Sequence, residues 1–271
     1  MIIEFIGTPG SGKTSLLRVA VESLREAGMR PFTVIEASRV FAARTAVGKA
    51  VQIIAPASIR QQMLWQVFHS LSSLKRVRFK QEHHQLFTLI ARWQSDRPED
   101  AGAQQRRVEY WINQLAGYYS FLSANTQAGE VLLFDEGFVH RVVQLFASPV
   151  ETPDAAKVAA YAALIPQPDL VVYVNAPVEV CLKRIHERGV WQRMQNKSPE
   201  ELHHFIENAG LAVTQMVARL IAQNWQVIEV DNSQSDISTA QQSLSMQLTQ
   251  TLYPNLSETL PVLEFQRVQS T

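Results

Sequence analysis

Apolar and polar positions along this chain switch between two periods, and the switches mark its elements. Ile2-Ile3-Glu4-Phe5-Ile6 is a short run, apolar except for one acid, and predicts a buried strand. Ser15 to Ala27 then carries Leu16, Leu17, Val19, Ala20 and Leu24 at helical spacing. Gly28 closes that helix and Pro31 marks a turn, which places a second strand over Pro31 to Glu36. From about Ser38 to Gly129 no strand pattern follows. Helical stripes take its place: Met63, Leu64, Val67, Phe68, Leu71 and Leu74 within Ile59 to Leu74, then Leu86, Phe87, Leu89, Ile90 and Trp93, then an aromatic-rich stretch from Val108 to Ser123. Arg97 to Gly102 between them has the composition of a loop.

The second half returns to strands. Glu130-Val131-Leu132-Leu133-Phe134-Asp135 is a continuous apolar run ending in acid, as expected of a central parallel strand. Asp169 to Asn175 is another. Pro177 suits the first position of a helix running to about Glu187, and Ser198-Pro199-Glu200-Glu201 is a capped helix start. Trp225 to Val230 gives a last strand. An amphipathic helix from about Ser235 and a tail punctuated by Pro254 and Pro261 complete the chain. Strands alternating with helices predict an α/β fold: a parallel sheet of about five strands with helices on both faces. The expected organisation is a single domain over residues 1–271, with a helical insertion at about 40–128 and no internal repeat.

The turn between the first strand and first helix carries chemistry. Gly7-Thr8-Pro9-Gly10-Ser11-Gly12-Lys13-Thr14 fits G-x-x-x-x-G-K-[ST], the phosphate-binding P-loop. Its glycines let the backbone curl so that N–H groups point inward at phosphates. Lys13 brings a mobile cation to the β- and γ-phosphates, and the Thr14 hydroxyl is a ligand for Mg²⁺. The following helix adds its positive end. The strand before and helix after are the context the motif requires, so Gly7 through Ser15 is the expected nucleotide-phosphate site.

In a doubly wound sheet, ligands sit beyond the C-terminal strand ends. Asp135-Glu136 ends an apolar strand beside the P-loop, the Walker-B arrangement, in which the carboxylate of Asp135 holds Mg²⁺ or polarises the attacking group. Glu36 at the second strand's end is a candidate substrate contact or general base, with a simple capping role as its alternative. The rest of the composition narrows the classes. Lys plus Arg and Asp plus Glu are 25 each, so a general nucleic-acid coat is not expected. One cysteine, Cys181, excludes an intrachain disulfide and a thiolate cluster. No run of 18 apolar residues suggests a membrane span, and the strand and P-loop at the start leave no room for a signal peptide. A cytoplasmic location is the expectation. Oligomeric state is open, a homodimer included.

Leu132-Leu133-Phe134-Asp135-Glu136-Gly137-Phe138, Pro168-Asp169-Leu170-Val171-Val172-Tyr173-Val174 and Ala176-Pro177-Val178-Glu179-Val180-Cys181-Leu182-Lys183-Arg184-Ile185 follow the P-loop in an order that resembles the nucleoside and nucleotide kinase group, thymidylate kinase and the deoxynucleoside kinases in particular. Trp225 to Asp231 is similar to that group's last strand and adenine-side loop. The resemblance covers residues 1–38 and 130–235. It implies a three-layer P-loop NTPase fold, ATP with Mg²⁺ as cofactors, a small-molecule phosphate acceptor, and an arginine-bearing lid at about 184–200. The sequence departs from the group after the third strand: Asp135-Glu136-Gly137 lacks the arginine usual there, and the nearest is Arg141. That departure leaves the acceptor open.

Arg184, Arg188 and Arg193 fall in the lid segment. Guanidinium forks match phosphate oxygens and stay charged, as a transferring phosphoryl group demands. A spacing of four puts Arg184 and Arg188 on one helix face, where a solvated amphipathic surface is the plainer account. Weaker signals remain. His83-His84 and His203-His204 are adjacent pairs, whose side chains diverge by about 100° on a helix and predict polar surface in place of a metal site. Lys75-Arg76-Val77-Arg78-Phe79-Lys80 predicts a solvated helix end. The aromatic residues at 93, 110, 111, 118 and 119 predict core packing, with an acceptor pocket as the alternative. Asn196-Lys197-Ser198-Pro199 lacks the acid of a guanine-reading motif. Two functions fit: an ATP-dependent phosphotransferase acting on a small molecule, in which Lys13, Asp135, Glu136, Arg188, Arg193 and Glu36 do the chemistry, or an NTP-binding switch whose ATPase a partner controls.

Overall fold

In the computed structural model, the order β2-β3-β1-β4-β5 builds one five-stranded parallel sheet. Residues 1–95, 102–191, 194–195, 197–234 and 236–252 are described, the side chains at 94–95 and 102–107 apart. The strands are β1 Ile2–Ile6, β2 Arg30–Thr33, β3 Glu130–Phe134, β4 Leu170–Asn175 and β5 Val227–Asp231. Central β1 pairs with β3 and β4, with Glu4 in register with Phe134 and Val171. Side chains alternate across a strand, and β1 divides accordingly. Ile3 and Phe5 face a core shared with helix α1 (Lys13–Glu26) and helix α11 (Ser238–Leu252). Ile6 faces the larger core on the other side. The result is the expected three-layer α/β architecture with helices on both faces.

That larger core takes in the helices between β2 and β3: α2 Val34–Arg44, α3 Ala46–Ile54, α4 Ala57–Glu82, α5 His84–Ser95 and α6 Gly102–Asn125. No strand interrupts them among the described residues, as the sequence predicts. Phe68, Phe79, Tyr119 and Leu122 join Phe134 and Phe138 in one continuous apolar mass. The expected loop at Arg97 to Gly102 lies outside the described residues but for Gly102, which begins α6. The predicted apolar run of β3 begins with an acid, and Glu130 proves fully buried. Arg44 meets its two carboxylate oxygens at 2.6 and 3.0 Å, which ties α2 to the sheet.

The sequence expectation for the second strand requires correction. β2 stops at Thr33, and Glu36 lies on α2. Thr33 caps the helix by accepting from the Glu36 N–H, while the Glu36 carboxylate accepts from the Thr33 N–H at 2.9 Å. This is a reciprocal capping box, written T-V-I-E, in which the β-branched Val34 and Ile35 imitate a strand. Pro31 does not mark a turn. It sits inside β2, which an edge strand tolerates.

The second half adds α7 Arg141–Phe146 and α8 Ala155–Ala162, two short helices between β3 and β4. Next come α9 Val178–Arg188 and α10 Pro199–Ala222. Pro177 is the N-cap of α9, one place before the position expected. Ser198 caps α10 as predicted, with Glu201 completing a capping box and Pro199 at the first position. Among the described residues no helix is long and apolar enough to cross a membrane.

Candidate active site

The C-terminal ends of β1 and β3 and the last turn of α9 open onto one cleft of about 760 Å³. Pro9, Gly10, Gly12, Lys13, Thr14 and Ser15 line one wall. Asp135, Glu136, His140, Arg141 and Gln144 line another, Arg184 and Arg188 close it from α9, and Trp111 and Trp191 lie at its border. Gly7, Thr8 and Ser11 do not line the cleft; they shape the loop, with Ser11 N–H donating to Thr8 O at 3.0 Å.

Gly10 and Gly12 have φ of 88° and 96°, left-handed values that favour glycine. A side chain at Gly12 would strike the Asn232 amide. Asn232, on the loop after β5, is 1% exposed. Its Nδ2 donates to Ser11 O at 2.7 Å, and its N–H donates to Asn175 O at 2.8 Å. Arg184 braces the same loop: it donates to Gln234 O at 2.9 Å and to Ser11 O at 3.4 Å. The guanidinium expected to serve phosphate therefore also ties the P-loop to the end of β5.

Lys13 Nζ donates to Gly7 O at 2.8 Å and to Thr8 O at 3.1 Å. Burial lowers its pKa to about 8, against the pull of Glu136 and Asp135. Asp135 is displaced the other way: burial first, then the adjacent Glu136 charge, raise its carboxyl above the usual range. His140 is held well below its ordinary value by burial, with Lys13 and Arg141 adding to the effect, so a neutral imidazole stands in a cleft of cations. Arg141 donates to Gln144 Oε1 at 2.6 Å and to Glu136 Oε2 at 3.3 Å.

Thr14 and Asp135 border the same cleft and offer hard oxygen donors, the kind Mg²⁺ takes. The mutual repulsion of Asp135 and Glu136 is a charge that a divalent cation would relieve. The residues present thus fit magnesium.

Of the residues singled out by sequence, the P-loop face, Lys13, Thr14, Ser15, Asp135, Glu136, Arg184 and Arg188 come together. Glu36 does not. Its carboxylate is occupied by the α2 cap and by Arg25 at 3.8 Å, and it lies outside the cleft lining. Arg193 lies outside the described residues. The histidine pair at 203–204 also departs from expectation: both rings turn toward Glu207, at 3.4 and 3.1 Å, so the three ligand atoms gather on the exposed side of α10.

His140, Gln144, Asn232 and Glu4 were not singled out as functional. His140 and Gln144 follow the Asp135-Glu136 strand end closely, and that spacing was the available signal. Asn232 follows the last strand directly and could have been found by its place at a strand end. Among the aromatic residues, Trp111 borders the cleft, while Tyr119 is buried in the core and Tyr118 packs against it.

A P-loop on a parallel β2-β3-β1-β4-β5 sheet, with an acidic strand end and arginines over one cleft, defines a three-layer P-loop nucleotide-binding fold. No family model matches the chain, and no curated protein sequence matches it. Among solved structures it is similar to a deoxyadenosine kinase from M. mycoides with dCMP and dCDP bound, at 12% identity and a TM-score of 0.43, covering 92% of this chain and 99% of that one. A second structure of deoxyadenosine kinase from M. mycoides, with dCTP bound, is similar at 14% identity and a TM-score of 0.37, over the same shares.

Proposed function

We propose that this protein is an ATP- and Mg²⁺-dependent phosphotransferase acting on a small-molecule acceptor, of the nucleoside and nucleotide kinase kind. The observation that carries the reading is the convergence of Lys13, Asp135, Glu136 and Arg188 with the P-loop face on one cleft of about 760 Å³. In this reading the chain is a single domain, the helices from about 40 to 128 are an insertion that walls the acceptor side, and residues 184–200 form the lid. The fold supplies positioning and electrostatics, which are most of what phosphoryl transfer asks of a protein.

The placement of the side chains around the cleft supports a role for each. Lys13, now bonded to two loop carbonyls, turns its ammonium to the β- and γ-phosphates. The P-loop N–H groups cradle them, and Arg188 meets the charge that spreads over the moving group. Thr14 and Asp135 would hold Mg²⁺, which when bound would supply positive charge against the phosphate oxygens. Glu136 is half exposed beside Asp135 and lines the cleft, where it orients the acceptor hydroxyl. Arg141, five residues after Glu136 in the sequence, lines the same cleft and is the candidate to stand in for the arginine of the kinase group.

A second reading, a partner-controlled ATPase, is favoured by one observation: Val47, Ile53 and Ile54 of α3 are 55%, 83% and 80% exposed. The two are separated by measuring phosphate transfer to a panel of nucleosides, nucleotides and sugars beside plain hydrolysis, for wild type and Lys13→Ala. Transfer that is lost in a folded Lys13→Ala supports the phosphotransferase. Hydrolysis without transfer to any acceptor supports the switch, and full activity in Lys13→Ala removes both.

A further inference from the structure

Glu4 is an acid in the middle of the central strand. It lies between Ile2 and Ile6 on the face where the larger core packs, and it is 0% exposed. Strand neighbours in register, Phe134 and Val171, are apolar. A buried carboxyl is costly unless it is bonded, and the backbone N–H groups of Val139 and Phe138 both favour the Glu4 carboxylate. Oε2 accepts from the Val139 N–H at 2.8 Å, while Oε1 is buried with no hydrogen-bond partner among the described residues. Gly137 lies directly against it: any side chain there would overlap the Glu4 carboxylate. The turn that Glu4 touches is the one that bears the cleft. Asp135 and Glu136 precede Gly137, and His140 and Arg141 follow Val139.

We propose that Glu4 is a positioning residue, whose buried carboxyl grips the 137–139 turn from beneath and thereby sets where Asp135, Glu136, His140 and Arg141 stand in the cleft. The inference rests on the phosphotransferase reading of that cleft for its kinetic consequence, and on geometry alone for the grip. Two further holds act on the same turn. Tyr161 of α8 donates its hydroxyl to Phe138 O at 2.8 Å, and Phe79 of α4 stacks on the Phe138 ring at 5.4 Å and 10°. These fix Phe138 by its carbonyl and ring, while Glu4 holds the Val139 N–H and faces the backbone of Phe138. It is also the member of the set that ionises near neutral pH. The groups facing it are Arg141 of α7, whose charge favours the carboxylate, and the hydroxyls of Tyr119 (α6) and Tyr161 (α8), whose own ionisation Glu4 opposes. Burial raises the Glu4 pKa to about 7. A carboxylate accepts an amide N–H more strongly than a carboxylic acid does and draws Arg141 toward it, so the grip tightens as Glu4 ionises.

The direct test is an ¹⁵N spectrum of the valine-labelled wild-type protein between pH 5.5 and 8.5, with Val139 assigned by its loss in Val139→Leu. The Val139 amide is expected to titrate with a midpoint near 7 and to stop titrating in Glu4→Gln. A Val139 amide that does not move, or that moves equally in Glu4→Gln, overturns the proposal whether or not the protein is a kinase. The kinetic arm measures kcat and the dissociation constant of an ATP analogue over the same pH range. Glu4→Gln keeps the length and one oxygen acceptor but cannot ionise. Its kcat should fall about tenfold below wild type at pH 8, approach wild type at pH 6, and lose the wild-type rise between them, with nucleotide affinity unchanged. Equal loss at every pH, or a loss of affinity matching the loss of rate, would mark Glu4 as structural only and overturn the proposal.

Discussion

The ionisation of Glu4 should make this protein less stable as the pH rises from 5 to 8, and Glu4→Gln should remove that decline. The native state keeps the carboxyl protonated up to about pH 7, whereas the same group outside the fold titrates at 4.5. Between those values the folded chain binds the proton and the unfolded chain does not, so stability falls with pH across that window. A shift of about 2.5 units corresponds to about 3 kcal/mol in all, of which about 2.5 kcal/mol lies between pH 5 and 8. That is a large part of a typical 5–15 kcal/mol stability.

Urea unfolding of wild type and Glu4→Gln at pH 5 and pH 8 isolates the effect. Packing differences and every other titrating group contribute equally to both differences and cancel. The amide variant should therefore gain about 2.5 kcal/mol relative to wild type on going from pH 5 to pH 8. If the relative stability of the two proteins is the same at both pH values, Glu4 ionises as it would in water, and its burial against Val139 is not as described. If the variant instead loses ground at pH 8, the carboxylate is stabilised by the turn more than burial penalises it, and the pKa lies below 4.5.

Lys13 gives a second pH dependence, of nucleotide affinity. Its pKa near 8 means that the ammonium the triphosphate needs is lost above that pH, so affinity should weaken about tenfold per unit above pH 8 and change little below it; a flat titration to pH 9.5 refutes the assignment. Asp135→Asn keeps size and hydrogen bonding but removes the charge that attracts the metal, so it should raise the Mg²⁺ concentration needed for half-maximal turnover far more than it lowers the apo Tm. A magnesium titration that overlays wild type would transfer the role to Glu136. Arg188→Ala should depress the rate at saturation more than it weakens ATP binding, by up to about 10³, and Arg188→Lys should recover only part of it because an ammonium cannot make the bidentate contact. Single-turnover kinetics beside a nucleotide titration decide, and a raised dissociation constant with a normal rate would mean a ground-state clamp.

Residues whose meaning is local were legible in the sequence, and residues whose meaning depends on a distant partner were not. The P-loop is written entirely in its own spacing. So are the strand ending at Phe134, the acid that follows it, and the Ser198 cap of α10. Glu36 failed for the opposite reason. Thr33 and Glu36 spell a capping box as clearly as a strand end, and the β-branched Val34 and Ile35 between them tip a pattern argument the wrong way. Asn232 and Arg184 brace Ser11 across 221 and 173 residues, a contact that no window of sequence contains.

Glu4 shows the limit most clearly. In the pattern Ile2-Ile3-Glu4-Phe5-Ile6 it is the one position that breaks an otherwise apolar strand, and a break of that kind is the expected mark of a site where stability is given up for something else. The pattern alone shows the cost. What it cannot show is the beneficiary, because the turn at 137–139 is more than 130 residues away and meets Glu4 only once β3 has paired beside β1. Gly137 belongs to the same account. In the sequence it closes Asp135-Glu136-Gly137, a segment that lacks the expected arginine. In the fold it is the residue whose lack of a side chain lets the turn rest on the Glu4 carboxylate. Any side chain at that position would meet the Glu4 carboxylate, so the glycine in the turn and the acid in the strand are one structural choice.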